Sequence, residues 1–374
     1  MIYLDSAATS LIKPVSVERA VLQTIRTAAS PGRGAHLPAQ RAAETVYACR
    51  EAAAKLFGVS DPSCVVFTMN ATHGLNLAIR SLVREGTRVL VSGWEHNAVM
   101  RPLYAAKAEI RVVSGPLFDP DRFLEEWESA LPWAEAAVCT HVSNVFGYIL
   151  PIGEIAALCR QRGVPLIIDA SQSAGILPVD FESLGAAYIA MPGHKGLLGP
   201  QGTGLLLCAE QGIPLLYGGS GSESRLRTMP ETLPDRLEAG THNVCGIAGL
   251  LAGIRYILSR GTDAIFEFEH IRLIEALYIL QDSCAEVFTK GGENQSGVLS
   301  LRVPGLDAEE LAMRLSERGV CVRAGLHCAP LAHESAGTLD TGTLRLSFSP
   351  FLQENAIKTA LFILLEEIEK AEGN

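Results

Sequence analysis

The stretch PLIIDASQSAGILPVDFESLGAAYIAMPGHKG (165–196) decides the fold. It holds two short β-rich runs, PLIIDA (165–170) and AAYIAM (186–191). The first ends on a carboxylate, Asp169, and the second runs into a Gly-rich turn that carries Lys195. The same rhythm continues outward on both sides. Strands are predicted at 64–68, 87–92, 109–115, 136–144 and 203–208, and helices at 72–83, 118–131 and 151–163. The 118–131 segment opens with acidic residues, which the helix dipole favours at that end, and the 151–163 segment stops at Gly163. Strands alternating with helices imply βαβ units and a mostly parallel sheet, so the fold class is α/β.

The last third reads differently. Long helices are predicted at 242–259 and 265–287 and a shorter one at 307–318, interleaved with the β-like runs SGVLSLRVP, VCVRAG and TLRLSFS. This α+β pattern suits a smaller second domain. The expected division is a large domain over 14–250, with a small domain formed by 1–13 and 251–374. Residues 214–240 are irregular and too long for an ordinary connector, which suggests a functional or interface loop.

Composition narrows the function. A chain of 374 residues accommodates two domains of about 150 residues or more. With 48% hydrophobic and 19% charged residues, disorder and coiled coil are excluded as the main architecture. Lys and Arg number 31 against 41 Asp and Glu, a net charge of −10, and no basic run occurs, which argues against generic nucleic-acid binding. The nine cysteines are scattered without a CxxC pair, unlike a disulfide framework or a zinc ribbon, and they fit a reducing cytoplasm. The start, MIYLDSAATS, lacks a basic stretch followed by an apolar one, and no run of 18 apolar residues exists, so neither a signal peptide nor a membrane span is expected.

In an open α/β sheet, ligands bind beyond the carboxyl ends of the strands. Asp169 stands at such an end and suits a metal ligand, a base, the partner of a protonated ring nitrogen, or a helix cap. Lys195 follows the next strand, where burial would fit it to form a Schiff base. An amine with an acid upstream is the pair that pyridoxal phosphate (PLP) chemistry requires. TMNATHGLN (68–76) joins a strand to a helix, so the N–H groups of Ala71, Thr72 and His73 form a candidate anion cradle, with capping by Asn70 or Thr72 as the plainer reading. His96 in WEHNAV, a candidate catalytic residue that could stack on a cofactor ring or shuttle protons, and Asn144 in HVSNVFG stand at two further strand ends. RAGLHCAP (323–330) places Cys328 beside His327 and near Arg323, and positive neighbours favour the nucleophilic thiolate. A metal site from Cys321, His327, Cys328 and His333 is the alternative there, at unfamiliar spacings. Arg345 in TLRLSFS offers a planar fork for a carboxylate.

Taken in order, YLDSAAT, FTMNATHGLN, WEHNAVMRPL, HVSNVFG, LIIDASQSAG, GHKGLLGPQGTG, LEAGTHN and RAGLHCAP with Arg345 span nearly the whole chain. Each is weak alone, but in this order the sequence resembles a class V aminotransferase-fold, PLP-dependent cysteine desulfurase of the group II and selenocysteine lyase branch. The resemblance implies PLP-dependent transferase fold type I, a homodimer, L-cysteine or L-selenocysteine as substrate, and a protein or small-molecule sulfur acceptor. It implies that Lys195 holds the cofactor, Asp169 binds its ring nitrogen, and His96 stacks on the ring. Gln172 and Asn144 would face the phenolic oxygen. Thr72 and His194 would hold the phosphate, with Thr241 from the other subunit. Arg345 would bind the substrate carboxylate, with Asn144, His36 and Arg323 also touching substrate, and Cys328 would accept sulfur. Two departures stand out: Pro192 replaces a hydroxyl residue two before His194, and SFSPFLQEN lacks the usual Asn-Thr after Arg345. The rivals are an eliminating C–S lyase of the same fold, which needs no thiol, and a catalytically silent scaffold, which needs neither Lys195 nor Asp169. A nucleotide-binding α/β protein is disfavoured, because no glycine fingerprint is present.

Overall fold

A computed structural model describes residues 1–32 and 34–372. Its centre is a seven-stranded sheet in the order Val65–Thr68, Gly204–Cys208, Tyr188–Pro192, Leu166–Asp169, Ala136–Thr140, Arg88–Ser92, Glu109–Val113. Gly204–Cys208 runs antiparallel to both neighbours, and every other pair is parallel. The expected mostly parallel α/β sheet is therefore present. Apart from the edge strand Glu109–Val113, its strands are buried on both faces, as the lack of polar alternation in runs such as LIID dictates. Ile168 and Met191 point into one hydrophobic cluster and Ile167 and Ala190 into another, each under its own layer of helices. All strands except Gly204–Cys208 run the same way, so Thr68, Ser92, Thr140, Asp169 and Pro192 end on one edge.

A four-stranded antiparallel sheet, Arg323–Gly325, Thr343–Ser347, Val298–Arg302 and Glu286–Phe288, carries a third cluster. The N-terminus joins this part. Ile2–Tyr3 pairs with Val320–Cys321, and the Ser347 N–H donates to the Leu4 carbonyl at 2.8 Å. Residues 3–10 thereby lie between the two sheets, where Ser10 N–H donates to the His194 carbonyl at 2.9 Å.

Several elements differ from the sequence expectations. Helices Val15–Thr27, Leu37–Phe57 and Glu354–Glu372 were not anticipated. The strand expected over 136–144 stops at Thr140, because residues 141–150 fold back in a bridge between Val142 and Ile149, with Gly147 at φ 71°. The helix expected over 265–287 runs Thr262–Leu280, and its last part is a turn and a strand. Helix Val244–Arg260 buries Leu250, Leu251, Ile254 and Ile257 in the large-sheet cluster, so residues 251–260 pack there and not with the second sheet. Among the described residues, no single helix is long and apolar enough to cross a membrane.

Gly253 of that helix supports the turn after Lys195. A Cβ there would lie 2.3 Å from the Leu197 carbonyl oxygen, whereas a Cβ at Gly153, in helix Ile152–Arg162, would meet nothing within 4 Å. Alanine gains up to about 1 kcal/mol of helix propensity over glycine, but backbone overpacking costs about 1–3 kcal/mol. Gly153→Ala should hold or raise the thermal midpoint, and Gly253→Ala should lower it. Equal midpoints for the two variants would show that the contact yields freely.

Candidate active site

A cavity of about 170 Å³ lies beyond the strand ends, lined by Asp169, Lys195, His96, Asn144, Gln172 and His194, with Ala71, Thr72 and Pro192. Lys195 is half-buried in the turn after Tyr188–Pro192. Burial pushes its ammonium down to about 8, with Arg345 and Arg323 adding to the shift and Asp169 and Asp5 opposing it. Asp169 is 2% exposed, and its Oδ1 accepts from the Ser171 N–H at 2.9 Å and from the Ser171 hydroxyl. That clamp fixes the plane of the carboxylate. His96 caps helix Asn97–Ala105, its Nδ1 accepting the Ala98 N–H at 3.0 Å. Burial, reinforced by Lys195, takes its imidazole down to about 4, so a neutral ring lines the cavity.

The other residues carry more specific duties than expected. Gln172 spends an amide hydrogen on the Ala7 carbonyl (3.0 Å), and Asn144 donates to the His327 carbonyl (2.9 Å). His194 Nδ1 meets the Thr9 hydroxyl at 3.1 Å, and burial, with Lys195 and Lys13 nearby, brings its imidazole to about 4. In the anion cradle, the His73 N–H is already taken by Asn70 Oδ1 (2.9 Å), so the plainer capping reading holds for that group. The N–H groups of Ala71 and Thr72, at the first turn of helix Ala71–Leu82, have no partner among the described residues.

Other expected members stand apart from this cavity. His36 is exposed and caps helix Leu37–Phe57 through Nδ1. Thr241 is exposed and lines a separate cavity of about 310 Å³ with His73 and Met69. The loop bearing Thr241 is anchored by Glu238. Its carboxylate takes a fork from Arg50 (2.8 and 2.9 Å) and the Phe67 N–H (2.6 Å), and it lies 3.0 Å from His242.

Cys328 is exposed and is not among the lining residues, but its loop is held by hydrogen bonds next to residues that line the cavity. Its carbonyl accepts the Asn97 N–H at 2.8 Å, while Asn144 holds the preceding carbonyl. His327 and Cys328 both adopt left-handed conformations, φ 49° and 56°, which cost strain in residues bearing a Cβ. The expectation that His327 charges the thiol's surroundings is corrected. Its Nε2–H donates to the Thr343 carbonyl (3.1 Å), and burial drives its imidazole down to about 2. Cys321, His327, Cys328 and His333 likewise form no metal-binding group among the described residues; His333 bonds the Thr338 hydroxyl at 2.7 Å. Burial pushes Cys49 up to about 12 and Cys159 up to about 11, which keeps those thiols inert.

Arg345 is 2% exposed and sits behind Asn144, its Nη1 donating to the Asn144 carbonyl (2.8 Å) and its Nη2 to Asp5 (3.0 Å). Arg323, expected to touch substrate, instead forks onto Asp5. Sequence reading also missed Glu95. It is fully buried behind His96, with Oε1 accepting the Thr140 N–H (2.6 Å) and the Ser92 hydroxyl, and burial lifts its carboxyl to about 8. Glu95, Asp5 and Glu238 all stood in quoted motifs, and the available signal was a lone acid inside an otherwise apolar or small-residue stretch.

Residues 2–359 match the sequence profile of the family Aminotransferase class-V. The chain belongs to that family. This class-V chain is 32% identical to a probable cysteine desulfurase of Methanothermobacter thermautotrophicus, over 100% of the chain and 95% of the relative. It is also 32% identical to a cysteine desulfurase of Escherichia coli O157:H7, over 87% and 84%. Among solved structures, the apo cysteine desulfurase of Thermococcus onnurineus NA1 superposes with TM-score 0.90 at 29% identity, covering 99% of this chain and 95% of that one. The cysteine desulfurase CsdA of Escherichia coli, an S-sulfonic acid form, gives TM-score 0.83 at 26% identity, covering 99% and 94%.

A lysine attacks aldehydes only as the neutral amine, which is populated above its pKa. In the cofactor-free class-V chain, aldehyde labelling of Lys195 trapped by borohydride should rise with pH through about 8 and then level off. Peptide mass analysis reads the site. A midpoint near 10.5, the ordinary lysine value, would contradict the cavity's effect on this amine.

Proposed function

We propose that this chain is a PLP-dependent cysteine desulfurase, converting L-cysteine to L-alanine and loading the sulfur on Cys328 as a persulfide for an acceptor. The observation that carries the reading is one cavity holding a depressed lysine, a clamped carboxylate and a neutral imidazole, with an exposed cysteine on a loop tethered beside it, in a full-length relative of cysteine desulfurases. The residues fit the cofactor. The wall offers an amine, an acid, two unpartnered helix N-terminal N–H groups and a flat ring, which is the donor set such a molecule requires.

Lys195 would anchor the group and move a proton at the substrate Cα. Asp169 would keep the ring nitrogen protonated, His96 would lie flat on the ring, and Gln172 and Asn144 would face its phenolic oxygen. Ala71, Thr72 and His194 would hold the phosphate. When bound, pyridoxal phosphate supplies an electron sink for bond changes at Cα and Cβ. Arg345 would take the substrate carboxylate. The Cys328 thiolate then attacks the substrate sulfur. An S–S bond forms, the S–Cβ bond breaks, its electron pair stays with the substrate carbon, and Cβ takes a proton to give alanine. The tether to Asn97 and Asn144 holds the nucleophile's loop beside the residues that frame the cavity.

The same reading makes the protein a homodimer of two-domain subunits divided near Gly261. Its support is that Thr241 and His36 are exposed and stand outside their own chain's cavity, as residues serving a neighbour would. Sedimentation equilibrium at micromolar concentration should give a dimer, and a fully active monomer would refute it.

Cys328→Ala should cut alanine formation from cysteine on the order of a hundredfold or more, since it removes the nucleophile. Cofactor absorbance should persist, and activity on selenocysteine should fall far less. Full desulfuration by that variant would assign the chain to eliminating C–S lyases.

A further inference from the structure

The clamp behind Asn144 is not a lone arginine. Asp5 is 8% exposed and lies between two guanidinium groups. Arg345 Nη2 donates to its Oδ1 at 3.0 Å, while Arg323 makes three contacts, Nε to Oδ1 at 3.2 Å and to Oδ2 at 3.1 Å, and Nη2 to Oδ2 at 2.9 Å. The cluster holds two cations and one anion, a net charge of +1. Arg345 is almost fully buried, and its Nε has no hydrogen-bond partner. Burial lowers its pKa, and Asp5 is the first influence that opposes this.

We propose that Asp5 is a place-holder for the substrate carboxylate on Arg345, and that Arg323 is the counter-charge that lets Asp5 give way. The proposal rests on the reading of Arg345 as the carboxylate site. A buried guanidinium without an anion is costly, so between turnovers something must stand where the substrate's carboxylate will stand. Asp5 does so with one contact. Arg323 holds the same carboxylate with three, so Asp5 stays satisfied when Arg345 turns to the amino acid. Without Arg323, Asp5 and Arg345 form a neutral pair, and an arriving carboxylate is a second anion on one cation. Asp5 and Arg323 are thus positioning residues that act through Arg345. The anchoring of Leu4 on both Cys321 and Ser347 sets Asp5 in this place.

The test uses the holoenzyme, with KM and kcat for L-cysteine and spectral titration with L-alanine. Arg323→Gln should raise KM and weaken alanine binding by about tenfold or more, the worth of a charge-assisted hydrogen bond, with kcat within about twofold. Arg323→Lys, which keeps the charge but loses the fork, should stay within about threefold of wild type. Combining Asp5→Asn with Arg323→Gln restores the +1 balance and should bring KM back within about threefold. Additive losses in the double variant, or no rescue by lysine, would overturn the proposal, because they mark Arg323 as a direct or purely structural contact. If the double variant does not fold, the contrast between Gln and Lys at position 323 decides alone. Arg345→Gln separates the two levels: unchanged KM there would sink the carboxylate site itself, while a large loss there with additive effects elsewhere would sink only the role of Asp5.

Discussion

The structure depends on keeping the Lys195 amine in a confined pocket beside the carboxylate of Asp169. An ammonium confined in such a cavity is costly, as is the buried carboxylate, and placing them together offsets only part of the cost. The result is an amine held at about 8, within reach of its neutral, nucleophilic form near neutral pH. Parallel strands make this arrangement possible. Their carboxyl ends bring Asp169, the Lys195 turn and the helix start at Ala71 to one edge, while both faces of the sheet are sealed by hydrophobic layers. Buried polar anchors then hold the edge in register. Glu95 ties the ends of Arg88–Ser92 and Ala136–Thr140, and Glu238 ties Val65–Thr68 to the loop of Thr241.

The second sheet and the loop beside it contribute what the first cannot, an arginine clamp and the exposed thiol of Cys328. Its join to the large sheet combines polar contacts, Asn144 to His327 and Asn97 to Cys328, with apolar ones, Phe288 against Phe146 and Ala329 and Ala332 in the large-sheet cluster. The N-terminal strand matters more than its length suggests, because Ile2 to Ser10 touches both the second sheet and the lysine turn.

Much of this was legible in the residues. Asp169 and Lys195 were readable because apolar runs ending on a charged or Gly-rich turn mark strand ends in an α/β sheet. Cys328 was readable from its Gly- and Pro-bounded loop. Partner choice was not, because hydrogen bonding across the fold leaves no local pattern. Arg323 pairs with a residue 318 positions away and Arg345 with one 340 positions away. The neutrality of His327 was hidden for the same reason, since nothing in RAGLHCAP reveals that its ring is buried against Thr343. The missed N-terminal helices are more instructive: Val15–Thr27 leaves Val15, Leu22 and Ile25 exposed and buries only Val17 and Thr24, while half of the eight residues that Leu37–Phe57 buries are alanines, a weak apolar signal.

The central claim is that Cys328 receives the substrate's sulfur. The direct measurement is peptide mass mapping of the wild-type holoenzyme after brief treatment with L-cysteine and alkylation of exposed thiols. The account predicts one additional sulfur on the peptide containing Cys328 and none on the peptide containing Cys321. Alanine formed in turnover amounts with no sulfur added at Cys328, or with the sulfur found elsewhere, would contradict it.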